Sequence, residues 1–267
     1  MRISDKHMEM MLNQITLDCN QDEAIKIKDN MYIAPTKVLE GSRVINKLDP
    51  FFRAIICMGK AYIMADEETI PGWVEILKDY PVEWFFNYGR LRKIDRILNE
   101  YEREIIDTHV YFLPDKDFSD IAIPDNFVWF DEENIAKMKD VNKFHNALCY
   151  SPTQPDVMAV GAVKEGCDRV VDITQNNLMG MAGASNDGKY IRQIGIDVLD
   201  DYRGRGLAVD LVKVLKQKII SDGYLPLYGT GEGHALSRTV GVKAGFLPAY
   251  AEIFVGKIER HLDGIYG

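Results

Sequence analysis

The sequence predicts an α/β protein built on a mixed sheet, and three observations carry that reading. Residues 190–221, YIRQIGIDVLDDYRGRGLAVDLVKVLKQKIIS, read as a strand, a glycine-rich basic turn and an amphipathic helix. Apolar runs at 157–163 (VMAVGAV), 178–184 (LMGMAGA) and 225–230 (LPLYGT) have strand length and flank that unit. The front of the chain has its own strand, two helices and strand, so it forms a smaller α/β unit.

The elements follow in order. Ser4 caps an opening helix that runs to about Asn20. Residues 61–65 form a strand, and helices follow around 71–80 and from 89 to 105. In the second helix Leu91, Ile94, Ile97, Leu98, Tyr101 and Ile105 fall at helical spacing, so one stripe is buried. A strand at 108–113 closes this half. Residues 114–126, PDKDFSDIAIPDN, turn to Asp, Pro and Ser, which places a linker there and divides the chain into domains 1–120 and 121–267. A helix over 132–148 and a turn-rich SPTQPD precede the strands of the second half. The interval from Cys167 to Asn177 is longer than a tight hairpin needs.

Composition narrows the classes. The chain has 267 residues, enough for one domain or two, and its net charge of −9 argues against a nucleic-acid-coating surface. Cys19, Cys57, Cys149 and Cys167 lie far apart without metal-ligand spacing, which suits reduced, mostly buried thiols and no metal. No run is long enough to span a bilayer and the N-terminus lacks an apolar signal core, so the expected location is cytoplasmic.

The basic turn carries the chemistry. Glycines let main-chain N–H groups approach a ligand, the helix start adds its positive dipole end, and Arg203 and Arg205 add charge. That combination suits a pyrophosphate. In the strand, Tyr190, Arg192, Ile194, Ile196 and Val198 share one face; Ile191, Gln193, Gly195, Asp197 and Leu199 share the other, where Gly195 leaves space. In the helix Leu207, Leu211, Leu215 and Ile219 stack, and Gly223 stops it.

Arg203-x-x-Gly206-x-Ala208 resembles the Q/R-x-x-G-x-G/A signature of the GCN5-related N-acetyltransferase (GNAT) superfamily, and HALSRTVGVKAGFLPAY at 234–250 resembles its second motif. Together they cover about the last third of the chain. The resemblance implies a GNAT fold in the C-terminal half. It also allows the front domain to be a degenerate copy of that fold, although no motif there shows one. It implies that acetyl-CoA is the co-substrate. Backbone at Val198 and Leu199 would pair with the pantetheine arm and offer an N–H to the thioester oxygen. Amides of Arg203, Gly204, Arg205, Gly206, Leu207 and Ala208 would hold the pyrophosphate, with His234 and Ser237 beside them. Many members use a tyrosine on the second-motif helix as general acid. The matching position here is Gly241, and His234 replaces the usual opening asparagine.

Each remaining candidate has two readings. Asp197 is a general base, or a capping or solvent-facing carboxylate. His234 exchanges protons, or touches only phosphate and water at a helix start. Tyr250 and Tyr228 supply a phenol from a strand, or pack. Glu232 receives the substrate's proton, or is a solvated loop charge; a water chain with no dedicated acid serves as well. In the front half, Trp73 and the aromatics of 81–88 line an acceptor pocket, core or domain interface, and the interface is favoured, with the acceptor entering a cleft between the halves. The expected function is an acetyl-CoA-dependent N-acetyltransferase for a small-molecule amine, without nucleic acid or membrane partners; a homodimer is compatible with it. A non-catalytic acyl-CoA-binding sensor is the alternative, and a nucleotide-binding protein the weaker third class, because no Gly-Lys-Ser/Thr follows the turn.

Overall fold

The computed structural model describes residues 2–44, 50–141, 143–164, 166 and 177–258. Ser4 Oγ accepts from His7 N at 3.2 Å and caps α1 (Asp5–Asp18). Next come β1 (Ile25–Lys28), β2 (Met31–Pro35), β3 (Phe52–Cys57) and β4 (Lys60–Ala65). After them lie α2 (Ile70–Leu77), α3 (Tyr88–Glu100), β5 (Arg103–Pro114), β6 (Phe127–Asp131) and α4 (Glu132–Lys137). The remainder is β7 (Asp156–Val163), β8 (Leu178–Ser185), β9 (Ile191–Val198), α5 (Leu207–Ser221), β10 (Leu225–Gly231), α6 (Ala235–Lys243) and β11 (Phe246–Lys257). Parallel and antiparallel pairs both occur, so the fold is α/β with mixed pairing.

The chain forms two compact units. One comprises Ile15–Leu39, Lys47–His109 and Tyr250–Gly267, with strand order β1-β2-β4-β3-β11. Trp73, Phe85, Ile94 and Leu98 fill its core, while Trp84 and Tyr88 of the same aromatic cluster are exposed. Its interior also holds an ion network. Arg53 Nε lies 2.6 Å from Glu252 Oε1 and Arg53 Nη2 lies 3.4 Å from Asp18 Oδ2, with both carboxylates buried. The other unit comprises Met1–Gln14, Glu40–Asn46 and Val110–Ala249, with strand order β10-β9-β8-β7-β6. β5 and β11 contribute residues to both units. In the second unit α5 buries Leu211, Val212, Leu215 and Ile219 against Val160, Ala182 and Ile194. Each such side chain contributes about 1.5–3 kcal/mol of transfer free energy.

Several expectations change. The apolar stripe through Ile105 does not stay helical: α3 stops at Glu100, Glu102 takes φ 58°, and Ile105 lies in β5, its N–H donating to Asp95 Oδ1 at 2.7 Å. The helix expected over 132–148 ends at Lys137. Phe144, Ala147 and Leu148 are still buried, through a turn in which Leu148 N donates to Phe144 O. Cys19 and Cys57 are buried, but Cys149 is exposed. Cys167 and the interval after it up to 176 lie outside the described residues. Among the described residues no helix is long and apolar enough to cross a membrane.

Candidate functional site

The site begins where two parallel strands part. β10 pairs with β9 from Leu225↔Ile191 to Tyr228↔Ile194, and the register ends there although β9 runs on to Val198 and β10 to Gly231. On its other edge β9 stays paired with β8 out to Gly180↔Val198, and Leu199 N donates to Met179 O at 3.0 Å. Main-chain groups of alternate residues face alternate edges of a strand. Because Leu199 faces β8, Asp197 and Gly195 do as well, and Ile194, Ile196 and Val198 face the opening. The N–H and C=O of Ile196 and the N–H of Val198 are therefore edge groups that lie beyond the β9–β10 register among the described residues. This corrects the expectation for Leu199. Its N–H is taken by Met179 and its C=O by Tyr202 N, while Val198 O accepts Arg203 Nε at 2.9 Å.

The basic turn follows at once. Tyr202 N and Arg203 N fold back onto Leu199 O and Asp200 O, and Arg203 Nη1 pairs with Asp200 Oδ1 at 2.8 Å. Gly204 and Gly206 take φ 77° and 86°, and a Cβ at either would meet nothing within 4 Å. Only glycine holds that conformation without steric cost. Gly206 is the N-cap of α5, and its C=O accepts from Val209 N and Asp210 N. The N–H groups of Gly204, Arg205 and Gly206 donate to no group among the described residues, and those of Leu207 and Ala208 open the helix. These five amides, the helix dipole and the exposed Arg205 form a cradle that fits a diphosphate.

The opposite face of β9 is covered. Gly183 of β8 stands across from Gly195 of β9. A Cβ at Gly195 would lie 1.9 Å from Asn146 O, and one at Gly183 would lie 2.0 Å from Ala147 O. The chain at 146–147 thus rests on the sheet at this glycine pair. Asp197 holds it there, accepting from Asn146 N (2.6 Å), Asn146 Nδ2 (2.6 Å) and Ala147 N (3.2 Å). The space expected at Gly195 is filled by main chain, and Asp197 takes its capping role: both its oxygens are committed to Asn146 and Ala147.

At the closed end of the opening, on the face packed by α5 and α6, lies Tyr228. Its ring is buried, and its hydroxyl bonds to Ser237 Oγ (2.9 Å) and donates to Ser237 O (3.1 Å). A Cβ at Gly241 would meet Tyr228 Cδ1 and Cε1 at 3.0 Å, so the glycine makes room for this ring. Burial raises the phenol pKa, and the Ser237 hydrogen bond partly opposes that shift. His234 is the exposed N-cap of α6 and makes no side-chain cap bond. Glu232 is exposed, in the turn between β10 and α6. Tyr250 belongs to the other unit, where it is buried and in register with Cys57 of β3.

No protein-family model and no curated protein matches the chain. Solved structures do. A GCN5-related N-acetyltransferase-like protein of Streptococcus suis is 13% identical, spanning 81% of this chain and 89% of its own, with a TM-score of 0.43. A GCN5-related N-acetyltransferase of Kribbella flavida is 17% identical over 62% of this chain and 64% of its own, TM-score 0.43. A Salmonella typhimurium protein whose structure holds acetyl-CoA is 12% identical over 52% of this chain and 98% of its own, TM-score 0.33. The GNAT-like signature residues Arg203, Gly206 and Ala208 all lie on the turn and the first residues of α5. The second motif forms α6 and the start of β11, with Ser237 turned toward Tyr228. Two features escaped the sequence: that the Tyr228 ring fills the space left at Gly241, and the clamp at Asn146. Glycines in two neighbouring strands, MGMAGA and QIGID, were the available sign of a close crossing.

Proposed function

We propose that the chain is an N-acetyltransferase that moves the acetyl group of acetyl-CoA to a primary amine of a small molecule. The observation that carries this reading is the parting of β9 from β10 beside a turn of uncommitted amides. An extended arm ending in a diphosphate is the ligand shape that such an arrangement accepts. Amides of residues 204–208 hold the diphosphate, and the edge groups of Ile196 and Val198 pair with the arm as an added strand would. Acetyl-CoA supplies an acyl thioester, in which attack by a neutral amine forms a C–N bond and releases a thiol. Within that chemistry, Val198 N–H is the donor to the thioester oxygen. Tyr228, protonated at neutral pH, is the proton donor to the leaving sulfur: its one hydrogen turns from Ser237 O to the sulfur while its oxygen accepts from Ser237 Oγ. The amine's proton passes to solvent, because Asp197 is occupied by its clamp. The domain expected at 121–267 is assigned the acetyl-CoA site, and the front residues an acceptor-side or structural role.

Calorimetry with acetyl-CoA, followed by thiol release across a panel of small amines, tests the reading. We expect binding in the micromolar range and release that depends on the amine. Binding without release by any amine would make the chain an acyl-CoA-binding module instead, and no binding would remove both readings.

A further inference from the structure

Away from the turn, the second half of α5 borders a separate pocket. It has a volume of about 330 Å³ and is lined by His7 of α1, by Pro114, Asp115, Lys116, Phe118 and Asp120 after β5, and by Lys216 and Ile220 of α5. Lys216 lies ten residues beyond Gly206, about 15 Å along the helix. All of these residues belong to one unit. The volume is at the lower end for small-molecule sites.

Two groups here are left incomplete by the protein. Lys216 is 3% exposed, and its Nζ donates one hydrogen to Ala244 O at 2.8 Å, lies 4.7 Å from the centre of the Phe118 ring and 5.6 Å from that of Phe246, and keeps two N–H groups. His7 Nδ1 is buried without a hydrogen-bond partner among the described residues. An unsatisfied buried polar group is costly unless a ligand or water completes it. The charges facing Lys216 are Asp115 and Asp120 from the segment after β5, Lys116 beside them, Lys213 on its own helix and His7 from α1. Asp115 is already paired with Arg2. Lys116 and Lys216 then stand against Asp120 alone, which leaves the lining with an excess of positive charge.

We propose that this pocket binds a small hydroxycarboxylate. Its carboxylate takes the two remaining N–H groups of Lys216, and its hydroxyl donates to His7 Nδ1. Burial holds the Lys216 ammonium down to about pKa 8 and lowers that of His7. Binding an anion restores the proton on Lys216, so ligand uptake is coupled to proton uptake near pH 8.

Glycolate is the probe, with ethylene glycol and ethylamine as neutral and cationic controls. Titration calorimetry in two buffers of different ionisation enthalpy reads affinity and protons together. We expect millimolar glycolate binding, uptake of about half a proton at pH 8 and little at pH 6.5. Lys216→Met should weaken binding tenfold or more and abolish the proton uptake. Asp120→Asn, at an exposed position, should strengthen it about twofold. Absence of glycolate binding to the wild-type protein, equal binding of ethylene glycol, or unchanged proton uptake in Lys216→Met would each overturn the proposal. None of these readouts involves acetyl-CoA, so they stand or fall separately from the transferase reading.

Discussion

Tyr228→Phe separates the proposed chemistry from packing. The substitution keeps the ring that fills the space at Gly241 and deletes only the hydroxyl, with its bonds of 2.9 and 3.1 Å to Ser237. A lost hydrogen bond of this kind costs about 1 kcal/mol of stability. A protein with the usual reserve of about 5–15 kcal/mol remains folded after that loss. A proton donor to the leaving group contributes about 10²–10⁴ in rate, or about 2.7–5.5 kcal/mol of barrier. The kinetic loss therefore exceeds anything the stability loss can produce. In a thiol-release assay with an accepted amine, kcat should fall at least about a hundredfold while calorimetric affinity for acetyl-CoA stays within about twofold. Wild-type kcat in a variant that melts about 1 kcal/mol lower would refute Tyr228 as the donor.

Three further outcomes follow from local geometry. Gly206→Glu places bulk and negative charge in the cradle at φ 86°, and should abolish acetyl-CoA binding by calorimetry while α5 stays folded by circular dichroism. Gly195→Ala drives a Cβ onto Asn146 O, and should destabilise by about 1–3 kcal/mol in urea and raise amide exchange at 146–147. Burial holds the Lys216 ammonium down to about 8, well below the ordinary lysine value of 10.5, so the unfolded chain binds more protons between those values. Wild-type stability should then rise with pH across that window, and Lys216→Met should flatten the slope and be the more stable near neutrality, by about 1–2 kcal/mol after its bond to Ala244 O is lost.

Period and punctuation were enough to place the elements that are locally driven. The strand–turn–helix at 190–221 was legible because Gly204 and Gly206 adopt a conformation that local sterics reserve for glycine, and because α5 repeats Leu211, Leu215 and Ile219 at helical spacing. Helical spacing failed where two elements share one apolar rhythm. Tyr101 and Ile105 continue the stripe of α3, yet the chain reverses at Glu102 and the rest is strand. At 144–148 the apolar residues are buried by a turn, since a helix there could not lay its carbonyls against the glycine pair of β8 and β9.

By itself, then, the sequence determined the α/β class, the glycine turn at the head of α5 and the residues that carry its charge, because these depend on backbone sterics and side-chain spacing within a few residues. Tertiary structure alone decided which main-chain groups stay free, that Asp197 holds Asn146, and that Tyr228 stands where Gly241 leaves room. Those outcomes depend on strand register and on which side chain fills which gap, and both are settled between segments as many as 51 residues apart, as for Asn146 and Asp197.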